Sequence, residues 1–104
     1  MGINITKDNI NNYLAGPLPL VIDFWAPWCS PFRKMVSIID ELSSEYEGKV
    51  VIGKCNVDEE KEIVQLYNVR SVPTILFFKD GASVDKLVGS NTKSNLQEKI
   101  NTLY

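Results

Sequence analysis

Histidine is absent from this chain of 104 residues, and cysteine occurs only at Cys29 and Cys55. Those two shortages exclude Cys-His proteolysis and His-based metal sites. Two separated cysteines without histidine also cannot complete a tetrahedral zinc or iron-sulfur site within one chain, so no metal and no cofactor are expected. A cluster bridged between two chains through Cys29 is the one formal exception. A disulfide framework is not the main source of stability. No apolar run approaches the 18 or more residues of a membrane span, and the N-terminus lacks the basic and apolar regions of a signal peptide, so a cytoplasmic protein is expected unless a removed leader preceded Met1. Eleven Lys plus Arg against 13 Asp plus Glu leave a net charge of -2, which offers no general attraction to nucleic acid or to an anionic membrane. What the chain does have is 44% hydrophobic residues, enough for one core and a single domain over residues 1–104.

Strand and helix patterns alternate along the chain, which favours an α/β layered fold. Ile3 to Ile5 reads as a short strand, and Thr6 as the N-cap of a helix carrying Ile10, Tyr13 and Leu14 that ends near Gly16-Pro17. Leu18 to Trp25 reads as a buried strand. From Pro31 the residues Phe32, Met35, Val36, Ile39, Leu42 and Tyr46 follow helical spacing, with Gly48 as the stop. Val50 to about Val57 is a strand, Glu59 to Tyr67 a helix, and Thr74 to Lys79 a strand. Asp80-Gly81 then turns the chain into Val84 to Val88, and a last helix from about Thr92 presents Leu96, Ile100 and Leu103.

The segment Trp25-Ala26-Pro27-Trp28-Cys29-Ser30-Pro31-Phe32 places a thiol where a strand hands over to a helix. Unpaired backbone N–H groups and the positive end of the helix dipole favour thiolate there, so Cys29 is the candidate nucleophile. Phe32 stands three residues later, a helical neighbour, where a second thiol would be placed to attack a mixed disulfide on Cys29. Asp23 interrupts the apolar run Leu20 to Trp25, and burial should raise its pKa.

Taken together, Asp23-Phe24-Trp25-Ala26-Pro27-Trp28-Cys29, Val69-Arg70-Ser71-Val72-Pro73-Thr74, Lys79-Asp80-Gly81 and Val88-Gly89 resemble the thioredoxin family in order and spacing, over nearly the whole chain. The resemblance implies a thioredoxin fold, a central mixed sheet of five strands flanked by four helices, with Cys29 at the start of the second helix and Pro73 in a cis loop facing it. Three departures cluster around the site: Ser30 for the usual Gly, Phe32 for the second Cys of a Cys-Gly-Pro-Cys motif, and Ser37 for a kinking Pro.

By the same resemblance Cys55 lies on the third strand, with its side chain on the face opposite that of Lys54, which makes it a core thiol and not a resolving one. Asp23 and Lys54 match residues that assist proton transfer at the missing second thiol. A strand-end Asp paired with Lys54 or water fits the residues equally well. Trp28, Ser30, Pro31, Val72, Pro73 and Gly89 are implied to form a shallow groove that holds an extended peptide, the Val72 backbone pairing with it as an added strand.

The expected activity is thiol-disulfide exchange through Cys29 alone, forming mixed disulfides with protein or glutathione substrates. An external thiol such as glutathione would regenerate the enzyme, and a thioredoxin reductase is a further implied partner. The alternatives are a redox-inactive peptide-binding module, or an engineered or diverged variant of a general protein-disulfide reductase.

Overall fold

A computed structural model describes residues 3–29 and 32–104, with backbone alone at 32 and 33. Nine elements follow in the order β1 (Ile3–Asn4), α1 (Ile10–Ala15), β2 (Leu20–Trp25), α2 (Phe32–Glu45), β3 (Val51–Asn56), α3 (Lys61–Leu66), β4 (Thr74–Lys79), β5 (Ala82–Val88) and α4 (Lys93–Ile100). The five strands form one mixed sheet in the order β1-β3-β2-β4-β5. β1 and β2 run parallel to β3, and β4 runs antiparallel to both β2 and β5.

Alternation along the strands builds two cores, one on each face of the sheet. Val21, Ile52, Ile75 and Phe77 pack with Met35, Ile39 and Leu42 of α2 and with Leu96 and Ile100 of α4. Leu20, Ile22, Phe24, Cys55, Leu76 and Phe78 pack on the other face with Ile10 of α1 and Ile63 of α3. The central strands β2 and β4 are therefore apolar on both faces, apart from the buried Asp23 and Thr74.

Element ends differ from the sequence expectation where local chemistry intervenes. Thr6 is not the cap of α1. Asn9 holds the N-cap position, and its Oδ1 accepts from the Thr6 N–H at 2.8 Å, which closes a turn before the helix begins. β2 starts at Leu20 and not Leu18, after Pro17 and Pro19, which have no N–H to give to a ladder. α3 begins at Lys61, because a turn occupies the residues before it. The last helix starts where expected, with Thr92 as its N-cap, accepting from the Asn95 N–H at 3.1 Å. The Asp80-Gly81 turn has positive φ at both residues, +53° and +80°, the conformation that matches strand twist in a two-residue hairpin. α2 runs unbroken through Ser37, which, unlike proline, keeps its backbone N–H.

β1 and β3 approach too closely for a side chain at Gly53. A Cβ there would lie 2.7 Å from the Ile3 carbonyl oxygen and 2.8 Å from Ile5 Cγ1. Gly53→Ala is therefore expected to cost about 1–3 kcal/mol through strain on the edge strand. Urea denaturation reads this directly, and an unchanged midpoint would show that β1 moves aside without cost.

Candidate functional site

Cys29 follows a turn at the C-terminal end of β2, its N–H donating to the Ala26 carbonyl at 3.1 Å, three residues before α2 begins. The thiol is free and half-buried. Its Sγ donates to the Val72 carbonyl at 3.7 Å, so the residue sits against the loop between α3 and β4. The Val72-Pro73 peptide bond in that loop is cis. The loop is tied down by Thr74 Oγ1, which donates to the Ser71 carbonyl at 2.7 Å, and by the Gly89 N–H, which donates to the Pro73 carbonyl at 2.8 Å. Gly89 has φ +91°, and a Cβ there would meet nothing within 4 Å. The glycine thus answers to its backbone conformation and not to crowding within the chain. Cys29, Trp28, Val72, Pro73 and Gly89 are consequently assembled from three loops at one end of the sheet. Ser30 and Pro31 lie outside the described residues, as does the side chain of Phe32.

Trp28 is 69% exposed, yet its indole is fixed. Nε1 donates to Asp58, 3.1 Å from Oδ2 and 3.5 Å from Oδ1. Asp58 is held in turn by its own N–H, which donates to Asn56 Oδ1 at 2.9 Å, an Asx turn at the end of β3. Sequence reasoning passed over Asp58. The signal available for it was Asn56-Val57-Asp58, an Asx-turn pattern leaving a strand beside the one that leads to Cys29.

The second thiol is remote in kind as well as in place. Cys55 pairs in register with Phe24, is fully buried, and packs in the cluster against α1 and α3. That is the face opposite α2, as the alternation with Lys54 requires. Burial first, and the charge of Glu60 second, push its pKa up to about 12. It is a thiol sealed from both solvent and Cys29.

Asp23 and Lys54 are register partners on neighbouring strands, on the face that carries α2. Asp23 is 1% exposed, and its Oδ1 has no hydrogen-bond partner among the described residues. Burial raises its pKa from 3.8 to about 7, and the Lys54 charge opposes that rise without cancelling it. The arrangement is a carboxyl that exchanges a proton near neutrality. Lys54 itself lines a cleft of about 240 Å³ with Trp25, Asn56, Glu59 and Glu60. Among the described residues no group of three or more His, Cys, Asp or Glu side chains is placed to hold a metal ion, and no helix is long and apolar enough to cross a membrane.

The thioredoxin family model matches residues 2–102. The chain is 43% identical to the thioredoxin of Rickettsia bellii over 102 residues, 97% of each protein. It is 45% identical to the chloroplastic M-type thioredoxin of Spinacia oleracea over 87 residues, 84% of this chain and 48% of that one. Against the chloroplastic M-type thioredoxin of Pisum sativum it is 48% identical over 87 residues, again 84% of this chain and 51% of the relative. The chain thus spans about half the length of the two plant relatives. The match to residues 2–102 and the near full-length likeness to the Rickettsia protein agree with the five-stranded sheet and four helices: the chain belongs to the thioredoxin family.

Proposed function

We propose that this protein carries out thiol-disulfide exchange through Cys29 alone. The observation that carries the reading is the separation of the two thiols. Cys29 is free and reaches solvent beside the cis loop, Cys55 is sealed on the opposite face of the sheet, and phenylalanine holds the position three residues after Cys29. No second thiol is within reach to complete an internal dithiol cycle.

The Cys29 thiolate attacks one sulfur of a protein or glutathione mixed disulfide. The Cys29–substrate S–S bond forms as the substrate's own S–S bond breaks, and the departing thiolate takes up a proton. A thiol such as glutathione then attacks the substrate-side sulfur of the new disulfide, forming a disulfide with it (glutathione disulfide where that sulfur is glutathione's own) as the Cys29 thiolate leaves, so the reducing equivalents come from that external thiol; a thioredoxin reductase is the alternative donor. Asp23, protonated in part at neutral pH, is the group that supplies or accepts the proton, with Lys54 modulating its charge. Trp28, Ser30, Pro31, Val72, Pro73 and Gly89 hold the substrate segment across the thiol.

The test is intact-mass kinetics of reduced protein with a glutathionylated peptide and excess glutathione. Turnover, with the Cys29 adduct appearing and discharging as peptide is released, is expected. A stoichiometric adduct that persists would make the protein a trap, and no adduct at all would leave a redox-inactive binding module.

A further inference from the structure

Next to the thiol lies a depression of about 170 Å³ whose walls differ in character. Its floor is Val57, Val64 and Val69, and its rim includes Trp28, Val72 and Arg70. Trp28 immediately precedes Cys29, and Val72 receives the Cys29 thiol, so the depression opens within one or two extended residues of any disulfide bound at Cys29. Trp28 offers only the apolar surface of its ring, because its N–H is spent on Asp58.

Arg70 is the charged side chain among the residues that line the depression. Asp58 is hydrogen-bonded to the Trp28 indole outside that lining, and Arg70 is exposed. Arg70 is oriented as well as charged. Asn68, in the left-handed conformation with φ +55°, accepts from the exposed Arg70's Nε at 3.1 Å, a bond that does not use the terminal guanidinium nitrogens.

We infer that the depression selects protein segments in which an apolar side chain near the reactive cysteine is flanked by a carboxylate, the apolar group seated over Val57, Val64 and Val69 and the carboxylate on Arg70. This rests on the exchange chemistry proposed above and names the partner of that same site. A planar guanidinium pairs with a carboxylate in two-point geometry, whereas a lysine-bearing segment meets like charge at Arg70. An apolar side chain entering a valine-floored depression leaves water on both sides of the contact.

The experiment uses cysteine peptides activated as mixed disulfides with a common leaving thiol and scores Cys29 adduct formation by intact mass. In three peptides the neighbouring pair is Leu-Glu, Leu-Lys or Gly-Glu. The Leu-Glu peptide is expected to react on the order of threefold faster than Leu-Lys, as an exposed ion pair permits, and about tenfold faster than Gly-Glu. Arg70→Glu, a surface change, should invert the Leu-Glu to Leu-Lys order. Equal rates for all three peptides, or an order untouched by Arg70→Glu, overturn the inference while leaving the exchange chemistry standing. So does a preference for glutathione disulfide over every peptide that is lost in Arg70→Glu, because Arg70 would then read a glutathione carboxylate.

If no peptide forms an adduct, the exchange reading fails by itself. The same peptides with serine for cysteine are then titrated onto the protein by NMR. An Arg70-dependent preference for Leu-Glu supports the inference, and its absence overturns it.

Discussion

Replacing Phe32 with cysteine is expected to turn a Cys29 mixed disulfide that waits for an external thiol into one that discharges by itself. Position 32 opens α2, three residues after Cys29, the spacing at which a Cys-Gly-Pro-Cys motif carries its second thiol. A thiol at that position would attack the Cys29 sulfur, forming a Cys29–position 32 disulfide as the substrate thiolate leaves and is protonated. Well-oriented intramolecular groups act with effective molarities of roughly 10⁵ to 10⁸ M, far beyond any cellular thiol. The release rate should therefore rise by several orders of magnitude and become independent of added glutathione. The measurement isolates the Cys29 adduct from excess thiol and follows its mass with time. Phe32→Ser serves as the control, since it removes the ring without supplying a nucleophile and should leave the adduct as long-lived as in the parent protein. Equal adduct lifetimes in Phe32→Cys and the parent would mean that position 32 does not face Cys29, and the single-thiol mechanism would lose its stated cause.

The strands that position this site were legible because they are buried on both faces. Residues 20–25 and 74–79 are near-continuous apolar runs, and only central strands of a layered α/β sheet need such runs. The hairpin at Asp80-Gly81 and the start of the last helix at about Thr92 were legible because turn chemistry and helix starts are local. The start of α1 was misplaced at Thr6, since Thr6 and Asn9 are both good caps, and the choice was made by a side chain reaching back three residues. In the site, Cys29, Asp23 and the Val72-Pro73 loop stood out because each is an unusual residue for its place in the chain. Asp58 and Arg70 did not. They are ordinary surface charges in composition, and they acquire direction only from an Asx turn at Asn56 and a left-handed Asn68, neither of which periodicity reports.

Asp23 is expected to make the protein less stable as the pH rises toward and past neutrality. Its folded pKa of about 7 lies above the ordinary 3.8, which the unfolded chain retains. Below 3.8 the carboxyl is protonated in both states and adds no penalty. Between 3.8 and 7 the unfolded state ionises while the folded state holds its proton, so stability falls with rising pH, and above 7 the loss is complete. The interval corresponds to on the order of 4 kcal/mol, a large share of what holds a domain of this size together. Asp23→Asn removes the titration and keeps the size of the side chain. Urea denaturation at pH 5 and pH 8.5 should show the variant gaining on the parent by several kcal/mol at the higher pH, and by less than half as much at the lower. The chain has no histidine to titrate in that window, and groups that titrate alike in variant and parent cancel in the comparison. The pKa values of Glu45 and Asp85 are lowered, chiefly by hydrogen bonds from Lys93 and Lys99, and their contributions are lost only on the acid side of it. A difference between variant and parent that is the same at both pH values would show that Asp23 keeps one protonation state throughout. It could not then be the group that moves the proton at Cys29. A difference that grows with pH would show that the fold maintains, at a standing cost in stability, a carboxyl poised to exchange a proton near neutrality.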